Sequence, residues 1–235
     1  MILEVRNLDF SFTGKTVLHD ISFSVDKGEM LAILGPNGVG KTTLINLLTG
    51  ILYPDRGSIS VNNIENPYIY KVEQKSMLGI MHPIKGIYLK MTGYEYLAFI
   101  GAIYGMDSES IKKRIEKLSI DLLFDNEIHR EIKKYSSGTK KKIEFCAAII
   151  STPAILFLDE PFESVDPKIS YEIKTYIKEY VKNGGTLIIT SHILDTIQNF
   201  CSNYIILNKG RIVYTDNIHE GIDLEKKYME VMNYE

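Results

Sequence analysis

An α/β fold is predicted for this 235-residue chain: a mostly parallel sheet, an N-terminal antiparallel β subdomain and an inserted helical subdomain. Three observations carry the prediction. Short unbroken apolar runs, Met30 to Leu34 and Ile155 to Leu158, have the length of strands buried on both faces, Thr186 to Thr190 reads as a further strand, and helical patterns follow them. The first 25 residues alternate and turn like an antiparallel sheet. From Thr92 to about Ser151 the periodicity is helical, with no strand pattern between. Alternating strands and helices imply parallel strands with helices on both faces, here interrupted by extra helices.

The elements follow in order. Met1 to Val5 and Leu8 to Phe12 read as strands, Thr13-Gly14-Lys15 as a turn, and Leu18 to Val25 as the returning strand before Asp26-Lys27-Gly28. After the strand Met30 to Leu34, residues Leu44, Leu47, Leu48 and Ile51 fall at i, i+3, i+4 and i+7 of a helix, with Gly50 as its stop. Pro54-Asp55-Arg56-Gly57 turns into a short strand, Ser58 to Val61, and Met77 to Met81 is another. Thr92 and Glu95 have capping-box spacing, Ser108 caps a helix carrying Ile111, Ile115, Leu118 and Leu122, and Ser136 caps a third that ends before Pro153. Then come Ile155 to Leu158, a helix from Pro167 to Asn183 stopped by Gly184-Gly185, Thr186 to Thr190, and a helix from His192 to about Cys201. A hairpin of Asn203 to Leu207 and Arg211 to Thr215 closes the series about Lys209-Gly210.

Between the Met30 strand and the Leu44 helix lies Gly35-Pro36-Asn37-Gly38-Val39-Gly40-Lys41-Thr42, followed by Thr43, which fits the phosphate-loop pattern in sequence and in strand–loop–helix context. In that geometry successive backbone N–H groups and the positive end of a helix converge on one point, where a polyphosphate supplies the missing partners. Lys41 reaches the β and γ phosphates, and the Thr42 hydroxyl holds magnesium. The glycines let the backbone approach where a Cβ would collide. The chain is therefore expected to have a P-loop NTPase core that binds a nucleoside triphosphate.

A second element supplies hydrolytic chemistry. Ile155-Leu156-Phe157-Leu158 is a buried strand ending in two carboxylates, Asp159 and Glu160, at the strand end where open α/β sheets place their ligands. Asp159 is suited to orient magnesium, and Glu160 to accept a proton from, or align, the water attacking the γ phosphate. An Asp-Glu pair alone is equally a solvated turn; beside a phosphate loop the hydrolytic reading takes precedence.

Composition narrows the classes further. With 45% apolar residues the chain can bury a sizeable core, and a net charge of −3 gives no global electrostatic reason to expect a nucleic-acid partner. The triplet Lys140 to Lys142 reads as a solvated helix face. Cys146 and Cys201 both sit among apolar residues, as small core side chains compatible with a reducing cytosol. The charged start Met1-Ile2-Leu3-Glu4-Val5-Arg6 does not fit a signal peptide, and no window approaches 18 uninterrupted apolar residues, so neither export of the chain nor a membrane span is expected.

Tyr135-Ser136-Ser137-Gly138-Thr139, just before the helix that precedes the Asp159 strand, resembles a variant of the LSGGQ signature of ABC-type ATPases, matching at Ser136 and Gly138 and departing at Tyr135, Ser137 and Thr139. By itself Ser136 is an ordinary N-cap whose helix start offers a second anion site. The resemblance implies that it faces the ATP of a second ATPase subunit, in a head-to-tail dimer with two-fold symmetry, here expected to be a homodimer. Glu163-Ser164-Val165-Asp166 resembles the D-loop, with Asp166 matching its aspartate and also placed to cap the helix opened by Pro167. His192 is similar to the switch histidine that contacts the γ phosphate. Phe12 matches the aromatic that stacks on adenine, although a core Phe in an alternating strand fits as well.

The resemblance runs from Ile2 to about Tyr214 and implies a nucleotide-binding core of residues 1–83 and 153–216, a helical insert of 84–152 carrying the signature, and a C-terminal tail, 217–235, without a recognisable motif. It further implies ATP and Mg2+ as ligands and an ATPase subunit on the cytoplasmic face of the cell membrane. There it powers export by a separate integral membrane subunit, as in drug and antibiotic exporters. The alternative within the family is a non-transport assembly factor or clamp; outside it, a P-loop kinase. Where the family carries Gln or Glu near residue 83, this chain reads His82-Pro83, and proline offers no side-chain ligand.

Overall fold

The computed structural model describes residues 1–65, 76–81, 86–219 and 221–233; His82 and Pro83 lie outside them. The chain divides into two compact units: Met1–Tyr70 with Phe157–Pro161 and Gly184–Glu235, and Lys71–Leu156 with Phe162–Asn183.

In the first unit, β1 (Leu3–Phe12) and β2 (Lys15–Val25) form an antiparallel hairpin closed by Thr13 and Gly14, both at positive φ as a two-residue hairpin turn requires. The expected break between Val5 and Leu8 is not a chain break in the sheet: β1 runs through it as an irregularity, with Asn7 at φ 44° and the register shifted between Val5 and Leu8. β3 (Met30–Leu34) leads into α1 (Lys41–Leu48), and β4 (Arg56–Val61) and β5 (Ile64–Glu65) complete a four-stranded sheet in the order β2-β1-β4-β5. α1 stops at Leu48 with Thr49 as its C-cap, so Ile51, expected on the buried face, is exposed.

The second unit holds β6 (Leu78–Ile80) and the helices α2 (Gly93–Ile103), α3 (Ser108–Asp121), α4 (Ser137–Ile149) and α5 (Pro167–Lys182). The Thr92–Glu95 capping box forms in both directions. α3 is capped one residue earlier than expected: the Asp107 carboxylate accepts from the Glu109 and Ser110 amides, and Ser108 is the first helical residue. An acceptor-only carboxylate at a helix N-terminus outcompetes a hydroxyl there, and its bonds hold the Asp107 carboxyl below the usual range. Lys142 corrects the picture of a solvated lysine face. It is buried on α4, its ammonium 2.6 Å from the Glu172 carboxylate of α5 and bonded to the Leu123 carbonyl. Cys146, two turns from the start of α4, is fully enclosed, and burial pushes its thiol far up, as an inert core residue.

β7 (Ile155–Asp159), β8 (Thr186–Ser191), β9 (Asn203–Asn208) and β10 (Arg211–Asn217) build the larger sheet with β3, in the order β10-β9-β3-β8-β7. β3 pairs in parallel with both β8 and β9, whereas β9 and β10 form the antiparallel hairpin. All six residues of β8 are buried, the three hydroxyl side chains Thr186, Thr190 and Ser191 included. The helix expected from His192 is only α6 (Leu194–Gln198), because His192 and Ile193 still belong to the turn leaving β8. The tail without a motif folds as α7 (Leu224–Asn233), anchored by the buried Leu224, whose amide donates to the Gln198 side chain. Core packing concentrates on Ile33, Leu34, Leu44, Leu47 and Leu48 with Ile188, Ile189, Ile205 and Ile206.

Candidate functional site

The site is built at the C-terminal ends of three neighbouring strands, β3, β8 and β7, the position where a parallel sheet opens a crevice between diverging loops. From β3 the chain enters Gly35 to Gly40. Any Cβ on Gly35 would run into the Leu207 carbonyl oxygen of β9. Gly40, the N-cap of α1, adopts φ 111°, a conformation that side-chain-bearing residues rarely take. The loop therefore curls tightly over the helix start, with Val39 buried beneath it.

Lys41, the first residue of α1, has only 6% of its side chain exposed. Its ammonium donates to the Gly35 carbonyl at 2.7 Å and the Pro36 carbonyl at 3.2 Å, and stands 3.2 Å from Glu160 Oε1. The Thr42 hydroxyl donates to Asp159 Oδ2 at 2.6 Å, tying α1 to the end of β7. The second Asp159 oxygen accepts from the Thr190 hydroxyl of β8. One residue on, Glu160 turns with φ 45°, and its carboxylate lies between Lys41 and His192, whose Nδ1 is 3.0 Å from Oε2. A carboxylate only accepts, so the Nδ1 proton faces Glu160 and Nε2 stays available for a ligand.

Phe12, Asn37, Gly38, Gly40, Lys41, Thr42, Thr43 and Glu160 line one open cavity of about 280 Å³, together with Val17. Phe12 is not a core residue. Its ring is 48% exposed at this cavity, held edge-on by Phe10 at 4.7 Å. Val17 and Thr190 complete the surroundings without having been singled out in the sequence. Val17 carries no signal there, but Thr190 is a buried hydroxyl at the end of the strand that leads to His192, two residues before it.

The residues present fit a magnesium–triphosphate pair. Thr42 and Asp159 offer two hard oxygen donors 2.6 Å apart. Magnesium favours such a sparse set, completed by phosphate and water, over an all-protein cage. Among the described residues no cluster of three His, Cys, Asp or Glu side chains forms such a cage. Lys41 presents a buried cation that a phosphate would pair better than two carbonyls do.

The remaining candidates belong to the second unit. Ser136 caps α4, its hydroxyl accepting from the Thr139 amide at 3.0 Å, and Gly138 lies in the first turn. Asp166 caps α5 through the Lys168 amide at 2.8 Å, with Pro167 at the first helical position. Each cap satisfies one of the unpaired amides of its helix's first turn.

Comparison with known proteins gives this geometry its family. The model of the ABC transporter family matches residues 18–163. The linearmycin resistance ATP-binding protein LnrL of Bacillus subtilis (strain 168) is 31% identical over 213 residues, covering 90% of this chain and 68% of that one. The Nod factor export ATP-binding protein I of Burkholderia lata is 26% identical over 223 residues, covering 95% and 73%. A solved structure of the ATP binding subunit of an ABC transporter superposes with a TM-score of 0.90 at 27% identity, covering 99% of this chain and all of that one. A phosphate loop, a strand-end carboxylate pair and a fold shared over nearly every residue thus converge on one assignment: the chain belongs to the ABC transporter family, as an ATP-binding and ATP-hydrolysing subunit.

Proposed function

We propose that this subunit powers export through a separate membrane subunit by closing a two-fold dimer around ATP and reopening it after hydrolysis. The observation that carries the hydrolytic half is the Glu160 carboxylate, held between Lys41 and His192 at the wall of the cavity.

In this reading the loop Gly35 to Thr43 wraps the phosphates with its backbone N–H groups, and Lys41 exchanges its loop carbonyls for the β and γ phosphates. Thr42 and Asp159 hold magnesium, which when bound neutralises charge across the phosphates. Glu160 aligns the attacking water and takes its proton, while His192 contacts the γ phosphate. Phe12 offers its exposed face to adenine. Ser136 and Gly138, with the D-loop Asp166, act on the nucleotide of the partner subunit, so that each triphosphate contacts two copies. Residues 84–152 form the insert that follows the closure and meets the membrane subunit, at the cytoplasmic face of the membrane; 1–83 and 153–216 form the nucleotide-binding core.

Similarity to a resistance ATP-binding protein and to an export ATP-binding protein supports the direction of transport. No helix among the described residues is long and apolar enough to cross a membrane. Glu160→Gln is the test. It keeps the shape and removes the base, so ATP binding is retained, turnover falls at least about a hundredfold, and the ATP-bound dimer persists in size-exclusion chromatography. Undiminished hydrolysis in that variant removes Glu160 from its role. A strictly monomeric ATP-bound variant removes the dimer mechanism.

A further inference from the structure

We propose that Thr190 is a positioning residue of the hydrolytic site, aligning Asp159 and Glu160 through one hydroxyl; this rests on the roles given above to those two carboxylates. Thr190 is fully buried near the end of β8. Its Oγ1 donates to Asp159 Oδ1 and accepts the backbone N–H of Glu160 at 3.0 Å. One atom therefore fixes the side chain of the first carboxylate and the main chain of the second.

The need for such a device follows from the backbone. Glu160 adopts φ 45°, a left-handed conformation that is strained for a side-chain-bearing residue and persists only where the surroundings hold it. That turn aims the Glu160 carboxylate at Lys41 and His192 rather than along the strand. It also points the Glu160 amide back at β8, where a buried donor without an acceptor would be costly. The threonine hydroxyl meets that donor, and its branched Cβ limits the rotor to few settings. On Asp159, Thr42 holds the other oxygen. Thr42 is itself assigned to magnesium, so Thr190 is the hydroxyl left to orient Asp159 through the cycle. Of the three buried hydroxyl residues of β8, Thr186 accepts the Gly28 amide and Ser191 the Ile193 amide, both backbone partners outside the carboxylate pair, whereas Thr190 serves Asp159 and Glu160.

The test compares Thr190→Val, which keeps the shape and loses both bonds, with Thr190→Ser, which keeps both. In the full chain with ATP and magnesium, Thr190→Val is expected to lower kcat about 10- to 100-fold, the range for a slightly misplaced catalytic group. The KM for ATP stays within about threefold, and ATP binding in EDTA is unchanged, because Lys41 and the glycine loop are untouched. In the nucleotide-free chain the Glu160 amide exchanges with solvent at least about tenfold faster, read by NMR. Thr190→Ser restores both turnover and amide protection. Should Thr190→Val fail to fold, Thr190→Ala carries the same expectations. Wild-type turnover in Thr190→Val beside an inactive Glu160→Gln overturns this proposal alone. So does a Thr190→Ser variant that folds normally yet loses as much turnover as Thr190→Val. Undiminished turnover in Glu160→Gln overturns instead the reading on which the proposal rests.

Discussion

Lys41 illustrates how one side chain is made to wait for a ligand. Its ammonium is nearly sealed from water, and two loop carbonyls and Glu160 share its protons. Such a cation is stable only while it is paired, and a triphosphate offers more charge than the partners it displaces. Lys41→Met, close in length and uncharged, is expected to weaken ATP binding by at least about 100-fold, as the loss of two charge-assisted hydrogen bonds implies. Titration calorimetry without magnesium checks it, since the metal site is then silent; binding of wild-type strength would mean that the loop amides alone hold the phosphates. At this scale the site was largely readable beforehand. The spacing of Gly35, Gly40, Lys41 and Thr42 names a phosphate loop because only that backbone path satisfies those glycines. Asp159 and Glu160 announce themselves as charges at the end of an apolar strand. What could not be read was pairing: that Glu160 sits between Lys41 and His192, or that Thr190 bridges two carboxylate residues. These contacts join residues that are 30 or more apart in the chain.

At the level of elements, the helices of the second unit are joined by a buried ion pair rather than by apolar contact alone. Lys142 of α4 and Glu172 of α5 keep only 6% and 10% of their side chains exposed, with 2.6 Å between charged atoms. Because Ser136 caps α4 and Asp166 caps α5, this pair fastens the two helices whose N-termini carry the signature and D-loop candidates. Lys142→Met strands a buried carboxylate and is expected to destabilise the chain by about 3–5 kcal/mol, while Lys142→Met with Glu172→Leu recovers most of it. Denaturant unfolding of the three proteins decides, and equal stability of both variants would show that the pair is not coupled. Element boundaries were legible where the caps are strong, as at Thr92, Ser136 and Asp166. They shifted where two capping residues adjoin, as with Asp107 and Ser108, or where a functional turn delays a helix, as after His192. The burial of Lys142 was hidden because a three-lysine run has the same pattern whether its third member faces water or a carboxylate on another helix.

For the whole molecule, the proposed cycle depends on contacts that a single copy does not contain. If Ser136 binds the partner's triphosphate, Ser136→Ala removes one charge-assisted hydrogen bond from each of two equivalent sites, about 1.5–3 kcal/mol apiece. The dissociation constant of the ATP-bound, Glu160→Gln dimer should then rise at least about a hundredfold, while ATP affinity of the isolated chain stays within about threefold. Analytical ultracentrifugation across a concentration series measures the first and titration calorimetry the second. An unchanged dimer constant leaves Ser136 with its capping bond to Thr139 and no more. In the same spirit, an integral membrane protein should co-purify with the tagged chain from its native membranes. By itself the amino-acid order determined the fold class, the phosphate loop, the carboxylate pair and the family, because each is written in local periodicity or in spacing along one segment. Only the tertiary structure decided that Phe12 opens to the cavity, that Lys142 is buried and that Thr190 serves Asp159 and Glu160. Those outcomes turn on which distant strands and helices come to lie side by side, and no property of a short window carries that information.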